Sequence, residues 1–155
     1  MTLAIRNAGL EEAPAVLAVM LAAFAQYRGT LVPESSAFKE TPDTVRAKIA
    51  RGGAVVAERD GRILATTLYE PEDDSLYIGR LAVLPEARRA GLAAVLIDAV
   101  EAIARARSIP RLTLSVRLAL ADNIRLFTRL GFRETGREAH PGFTAPTSMN
   151  MEKVL

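Results

Sequence analysis

A mixed α/β fold, a central β-sheet flanked by helices, follows from three features of this 155-residue sequence. The first is Tyr77–Leu84, apolar apart from Arg80, as expected of a strand covered along most of its length. The second is the pair of helical patterns that precede it. The third is Asp60-Gly61, a strong two-residue hairpin signal between two strand-like runs.

Leu3–Asn7 alternates enough for a first strand. Glu11–Ala25 reads as a helix, because Ala13, Val16, Leu17, Met20, Leu21 and Phe24 share a face and Glu11-Glu12 sit at its positive end. From Gln26 to Lys39 the pattern lapses into a loop punctuated by Gly, Pro and Ser, and a loop of that length is often functional. Thr41 caps a second helix that runs to about Arg51, with Pro42 at its first position. Ala54–Glu58 and Ile63–Tyr69 form the hairpin, and Pro71–Asp74 turns the chain into the central strand.

Pro85 ends that strand, having no N–H to donate. After a basic turn, Leu92, Val95, Leu96, Ala99, Val100 and Ile103 recur at helical spacing. Ile109-Pro110 breaks the helix before a fifth strand, Leu112–Val116. Asp122 or Asn123 caps a last helix, closed by Gly131. Phe132–Arg137 and Ser148–Val154 supply two more strands around the loop His140–Pro146. The order is βααβββαβαββ, within a single domain spanning 1–155.

Composition narrows the function. Half the residues are hydrophobic and a quarter charged, so the chain is neither disordered nor fibrous. Cysteine is absent, which excludes disulfides and thiol nucleophiles. One histidine, His140, makes a metal site a poor fit. The net charge of +2 and 5% aromatic content argue against a nucleic-acid groove. Apolar runs look too short to span a bilayer, and no signal peptide is visible. A cytoplasmic location is expected, without nucleic-acid or membrane partners, and a homodimer is compatible with so apolar a chain.

The chemistry concentrates at Arg88-Arg89-Ala90-Gly91-Leu92-Ala93, where the central strand's turn meets the long helix. Backbone N–H groups and the positive end of a helix dipole gather there, Gly91 brings no side chain, and two arginines stand alongside. Arg88, Gly91 and Ala93 fit the pattern Arg/Gln-x-x-Gly-x-Gly/Ala in register. With Leu81-Ala82-Val83-Leu84-Pro85 before it and Leu130-Gly131-Phe132 after it, the chain resembles the GNAT superfamily of acyl-CoA-dependent N-acyltransferases. The resemblance extends from about Leu3 to Lys153 and is specific between Ser75 and Phe132.

That resemblance implies the GNAT fold and transfer of an acetyl group from acetyl-CoA, as cosubstrate and without a metal, to a primary amine of a small molecule or peptide. It implies that amides from Arg88 through Arg89, Ala90, Gly91, Leu92 and Ala93 to Ala94 hold the pyrophosphate. A bulge would open the central strand so that Leu81, Ala82 and Val83 present the thioester arm. Asn123 either contacts the pantetheine or caps its helix. Arg129 either pairs with the 3′-phosphate or sits as a dipole-favoured surface arginine.

The family's tyrosine acid falls on Phe127, leaving a wall without a proton to give. Its usual glutamate falls on Tyr77, either a water-linked proton relay or a packing tyrosine. His140 titrates in a useful range and is either the base or a turn residue. Tyr27, Arg28, Glu34, Phe38, Phe143 and Thr147 are candidates for the acceptor side. Glu34 or Glu40 would either bind an ammonium group or lie solvated in the loop. The alternative function is an inactive acyl-CoA sensor of the same fold.

Overall fold

The computed structural model describes residues 2–155. Its elements are β1 (Ala4–Asn7), α1 (Ala13–Phe24), α2 (Pro42–Arg51), β2 (Gly53–Arg59), β3 (Arg62–Glu72), β4 (Ser75–Val83), α3 (Leu92–Ala106), β5 (Arg111–Arg117), α4 (Ala121–Arg129), β6 (Arg133–Glu138) and β7 (Ser148–Val154), in the predicted order. The seven strands form one sheet in the order β1-β2-β3-β4-β5-β7-β6. Only β4 and β5 pair in parallel, because α3 carries the chain across between them. At the β2–β3 turn, Asp60 and Gly61 both have positive φ, 54° and 76°, as a type I′ hairpin requires.

Two apolar clusters hold the layers. On one face α3 sets Leu96, Ile97 and Val100 against Leu76 and Ile78 of β4 and Leu112 and Leu114 of β5. On the other, α1 and α2 bring Val16, Met20, Val45 and Ile49 to Val56, Leu68 and Ala82. Each fully buried Leu, Ile or Val contributes roughly 1.5–3 kcal/mol. The second cluster includes no residue of β5, β6 or β7. That half of the sheet therefore keeps a polar face, on which Thr113, Ser115 and Arg117 alternate with buried Leu112, Leu114 and Val116.

Several local expectations are corrected. α3 crosses four strands, from β2 to β5, so its buried surface is broader than one stripe. Ile97 and Ala104 are buried, whereas Val95, Ala99 and Ile103 are only partly so. The turn before β4 narrows to Asp73-Asp74, since Pro71 and Glu72 still pair with Leu76 and Ser75. Leu120, not Asp122 or Asn123, occupies the N-cap of α4, and no side chain caps it. The helical run Leu10–Tyr27 is apolar enough, over 18 residues, to pass a length-and-composition test for a membrane span. It is a core helix here, with Val16, Leu17, Val19 and Met20 buried against α2 and the sheet.

The predicted caps elsewhere are present. Thr41 Oγ1 accepts from Thr44 N at 3.2 Å ahead of Pro42. Gly131, at φ 99°, closes α4. Its N–H donates to Thr128 O (3.1 Å) and that of Phe132 to Phe127 O (3.0 Å), the paired bonds of a Schellman motif. Phe127 and Phe132 complete the motif with an edge-to-face contact at 5.9 Å.

Candidate functional site

β4 and β5 pair only from Ser75↔Arg111 to Ile78↔Leu114. Past that point the strands part. The cause is a bulge in β4, where Arg80 and Leu81 together face Thr67 of β3, between the pairs Leu68↔Gly79 and Thr66↔Ala82. Arg80 takes φ 54°, a left-handed conformation costing a non-glycine residue about 1–2 kcal/mol.

Side-chain contacts offset that strain. Arg80 Nε donates to Glu40 Oε2 at 2.9 Å and Nη2 to Ser36 Oγ at 3.0 Å. Glu40 also receives bonds from Lys48 and from the Thr44 hydroxyl, and its side chain is only 5% exposed. Burial pushes the Glu40 carboxyl up, but the bonds from Lys48, Thr44 and Arg80 outweigh it and hold the group below its usual range. A carboxylate so fully engaged is neither a solvated loop residue nor free to bind an acceptor's ammonium.

The opening between β4 and β5 is a cavity of about 800 Å³. Gly79–Val83 line one wall and Leu114–Arg117 the other. At one end stands the N-terminus of α3. Gly91 at φ 75° begins the helix, and the first N–H to find an intrahelical carbonyl is that of Val95, bonded to Gly91 O at 3.2 Å. The N–H groups of Leu92, Ala93 and Ala94 thus remain as the unpaired donors of the first turn, in a field favouring an anion.

Arg88, Arg89, Gly91, Leu92, Ala93, Ala94, Asn123, Phe127 and Arg129 all line this cavity, as do Leu81, Ala82 and Val83; Ala90 does not. The Arg88 guanidinium bonds Ala23 O at 3.0 Å and Gln26 Oε1 at 3.3 Å, at the negative end of α1; both acceptors are neutral, so they orient the group and leave its charge beside the helix start. Arg89 and Arg129 are exposed at the rim. Asn123 does not cap α4 and is among the residues that line the cavity.

Tyr77, Arg80, Lys48, Arg117 and His140 also line the cavity, and Tyr27 lines it beside Gln26, Arg88 and Asn123. Burial, then the Glu72 charge, pushes the Tyr77 phenol up, so it keeps its proton at neutral pH. Burial, then the Arg117 charge, lowers His140 below its ordinary value, which leaves the imidazole neutral at physiological pH. Its Nδ1 contacts Thr147 Oγ1, which already accepts from the His140 N–H at 3.0 Å and reaches Glu138 O at 3.4 Å. That arrangement suits a proton on Nδ1 and a free lone pair on Nε2.

The remaining acceptor candidates separate. Glu34 is turned to the Gly29 N–H at 2.7 Å, Arg28 stacks on Phe38 at 3.9 Å, and Phe143 is exposed; none of the four lines the cavity. Thr147 acts through His140. Sequence reasoning missed Arg80, Arg117 and Ser115. The only hint was the alternation Arg111, Thr113, Ser115, Arg117, which marks one face of β5 as polar.

A family model described as the Acetyltransferase (GNAT) family matches residues 21–132. The chain belongs to this family. No curated protein matches the sequence. Among solved structures, PaiA N-acetyltransferase from Thermoplasma acidophilum in complex with coenzyme A is similar over 100% of both chains, at 18% identity and TM-score 0.83. The ribosomal-protein-S18-alanine N-acetyltransferase from Escherichia coli is similar at 21% identity and TM-score 0.81, covering 99% of this chain and 94% of that one. A GNAT acetyltransferase from Elizabethkingia anophelis with acetyl-CoA bound follows at 14% identity and TM-score 0.73, covering 99% and 98%. These likenesses establish the GNAT fold.

One GNAT departure is testable directly. Phe127 packs on Phe132 and has room toward the cavity, so Phe127→Tyr adds a hydroxyl without removing the contact. Turnover in Phe127→Tyr is expected to stay level or rise in a thiol-release assay. Loss of all coenzyme A binding in that variant contradicts the role of Phe127 as a wall.

Proposed function

We propose that this protein transfers an acetyl group from acetyl-CoA to a primary amine by direct attack. The observation that carries the reading is the single cavity joining the α3 N-terminus to His140 through the gap between β4 and β5. Bound acetyl-CoA supplies the activated thioester; two of the similar structures hold coenzyme A or acetyl-CoA.

Main-chain amides at the start of α3 bind the pyrophosphate, and the unpaired edge of β4 at Leu81–Val83 orients the acyl arm. A backbone N–H at that edge, aimed at the thioester oxygen, is worth about 3 kcal/mol in the transition state. The amine nitrogen bonds to the acyl carbon as the carbon–sulfur bond breaks. The nitrogen's proton passes to His140 Nε2, and the thiolate takes its proton from water, since Phe127 has none and a thiol near pKa 8.5 is a tolerable leaving group.

His140→Ala is expected to lower kcat/KM on the order of 100-fold and to remove the acidic limb of the pH–rate profile. In the parent that limb lies below the ordinary histidine value of 6.5, because burial and Arg117 disfavour the imidazolium. The KM for acetyl-CoA should not change. An unaltered limb in the variant assigns the base elsewhere. The function itself is tested by thiol release from acetyl-CoA over a panel of amines; silence across the panel, with coenzyme A still bound, contradicts it.

That last outcome belongs to a second reading, an acyl-CoA sensor, which the absence of a proton on Phe127 and the retained proton of Tyr77 favour.

A further inference from the structure

Resting on the acyltransferase reading, we propose that the acceptor carries a carboxylate beside its amine and that Arg117 binds it. Arg117 ends β5 on the polar face of the sheet and lines the acceptor end of the cavity with Ser115 and His140. Its guanidinium donates once from Nη1 to Pro33 O (2.7 Å) and once from Nη2 to Glu34 O (3.2 Å). A guanidinium has five N–H donors, so three have no protein partner among the described residues.

Charge sets Arg117 apart at this end of the cavity. The half-buried Arg6, Arg80 and Arg111 each meet a carboxylate oxygen within 3 Å, and Arg88, which also meets only carbonyl oxygens, stands at the α3 end. Arg117 meets only carbonyls, and burial works against its charge. A desolvated cation held by two dipoles has unspent capacity for one anion, and its planar fork fits a carboxylate with two parallel bonds.

The rest of the chamber agrees. Lys48, Arg80 and Arg117 line it, whereas Glu70 is the one carboxylate that does so. Glu70 is bonded to Arg51 at 3.0 Å. Glu40 pairs with both Lys48 and Arg80 from behind the wall, which leaves that trio with a net positive charge, and Glu72 and Glu138 do not reach the cavity. An entering polycation finds no free acid to bind it and a positive wall to repel it. An amino acid offers one negative charge to Arg117, the cation at this end with no carboxylate partner among the described residues. Arg117 is close enough for its charge to act on His140, so a carboxylate fixed there brings an amine on the adjacent carbon to the base.

The test compares amino acids with their own carboxamides as acceptors, at saturating acetyl-CoA and one pH. The carboxamides keep the shape, remove the charge and have the larger fraction of neutral amine, so without charge recognition they should react faster. The proposal expects the free acids to have the higher kcat/KM, on the order of ten-fold or more. That preference should vanish in Arg117→Gln and fall to an intermediate level in Arg117→Lys, with the KM for acetyl-CoA unchanged in both.

Carboxamides that equal or exceed the acids in the parent protein overturn it, whether or not either variant folds. So does a preference for acids that survives Arg117→Gln. Thiol release with alkyl amines but not amino acids overturns the proposal and leaves the acyltransferase intact. Release with no amine at all overturns both.

Discussion

Gly91→Val is expected to weaken coenzyme A binding by about 100-fold while leaving the protein folded. Gly91 starts α3 at φ 75°, where a β-branched residue is a steric outlier. An added Cβ would meet no protein atom within 4 Å, so the change disturbs conformation and the approach to the helix rather than core packing. Strain of about 1–2 kcal/mol re-aims the amides of Leu92, Ala93 and Ala94, and the branched side chain occupies the path of the phosphates. Each charge-assisted bond is worth about 1.5–3 kcal/mol. Misaligning two of them therefore gives about 3 kcal/mol, or roughly two orders of magnitude in Kd. Calorimetric titration with coenzyme A reads this directly. A Gly91→Val protein that binds like the parent removes the helix start from the site.

Glu40→Ala is expected to have the largest effect on stability. Its carboxylate joins Lys48 of α2 to Arg80 of the β4 bulge, and among the described residues neither cation has another carboxylate partner. Removing one partner of a buried ion pair costs about 3–5 kcal/mol because it strands the other. Lys48 and Arg80 are partly exposed, at 31% and 22%, so the lower end of that range applies. About 3 kcal/mol corresponds to a fall in Tm of roughly 10 °C for a domain of this size. Arg80 also loses the tether that offsets its left-handed backbone, so the bulge should relax and acetyl-transfer kcat should fall further than Tm alone implies. A melting curve within a degree or two of the parent's shows that the triad contributes little.

Much of the architecture was readable because the signals are local. Asp60-Gly61 can satisfy a type I′ turn without help from the rest of the chain, and Thr41-Pro42 contains its own cap and its own first helical residue. Gly131 and Phe132 announce the end of α4 because the Schellman motif needs a glycine and an apolar contact at adjacent positions. The phosphate-ready corner at Gly91 is local in the same sense, being built from backbone and one missing side chain.

What escaped the sequence depends on partners distant along the chain. The family resemblance implies a bulge in the central strand, but its place at Arg80 is set by a mismatch of register between β3 and β4, and nothing in Gly79-Arg80-Leu81 alone counts how many residues face Thr67. Glu40 sits in a polar stretch and looks solvated; only the arrival of Arg80, 40 residues away, makes it a buried counter-ion. The bond from Arg88 to Ala23 O at the end of α1 joins residues 65 apart, so nothing near Arg88 announces it. Arg117, one residue beyond the expected strand Leu112–Val116, carries no local signal, because its want of a carboxylate partner is a property of the chamber around it.

The most direct measurement is calorimetric titration of the purified protein with coenzyme A, at low salt and high protein concentration. The account predicts saturable one-to-one binding that Gly91→Val weakens by about two orders of magnitude. Absence of any binding heat in the parent, confirmed by an unshifted Tm at millimolar coenzyme A, contradicts it.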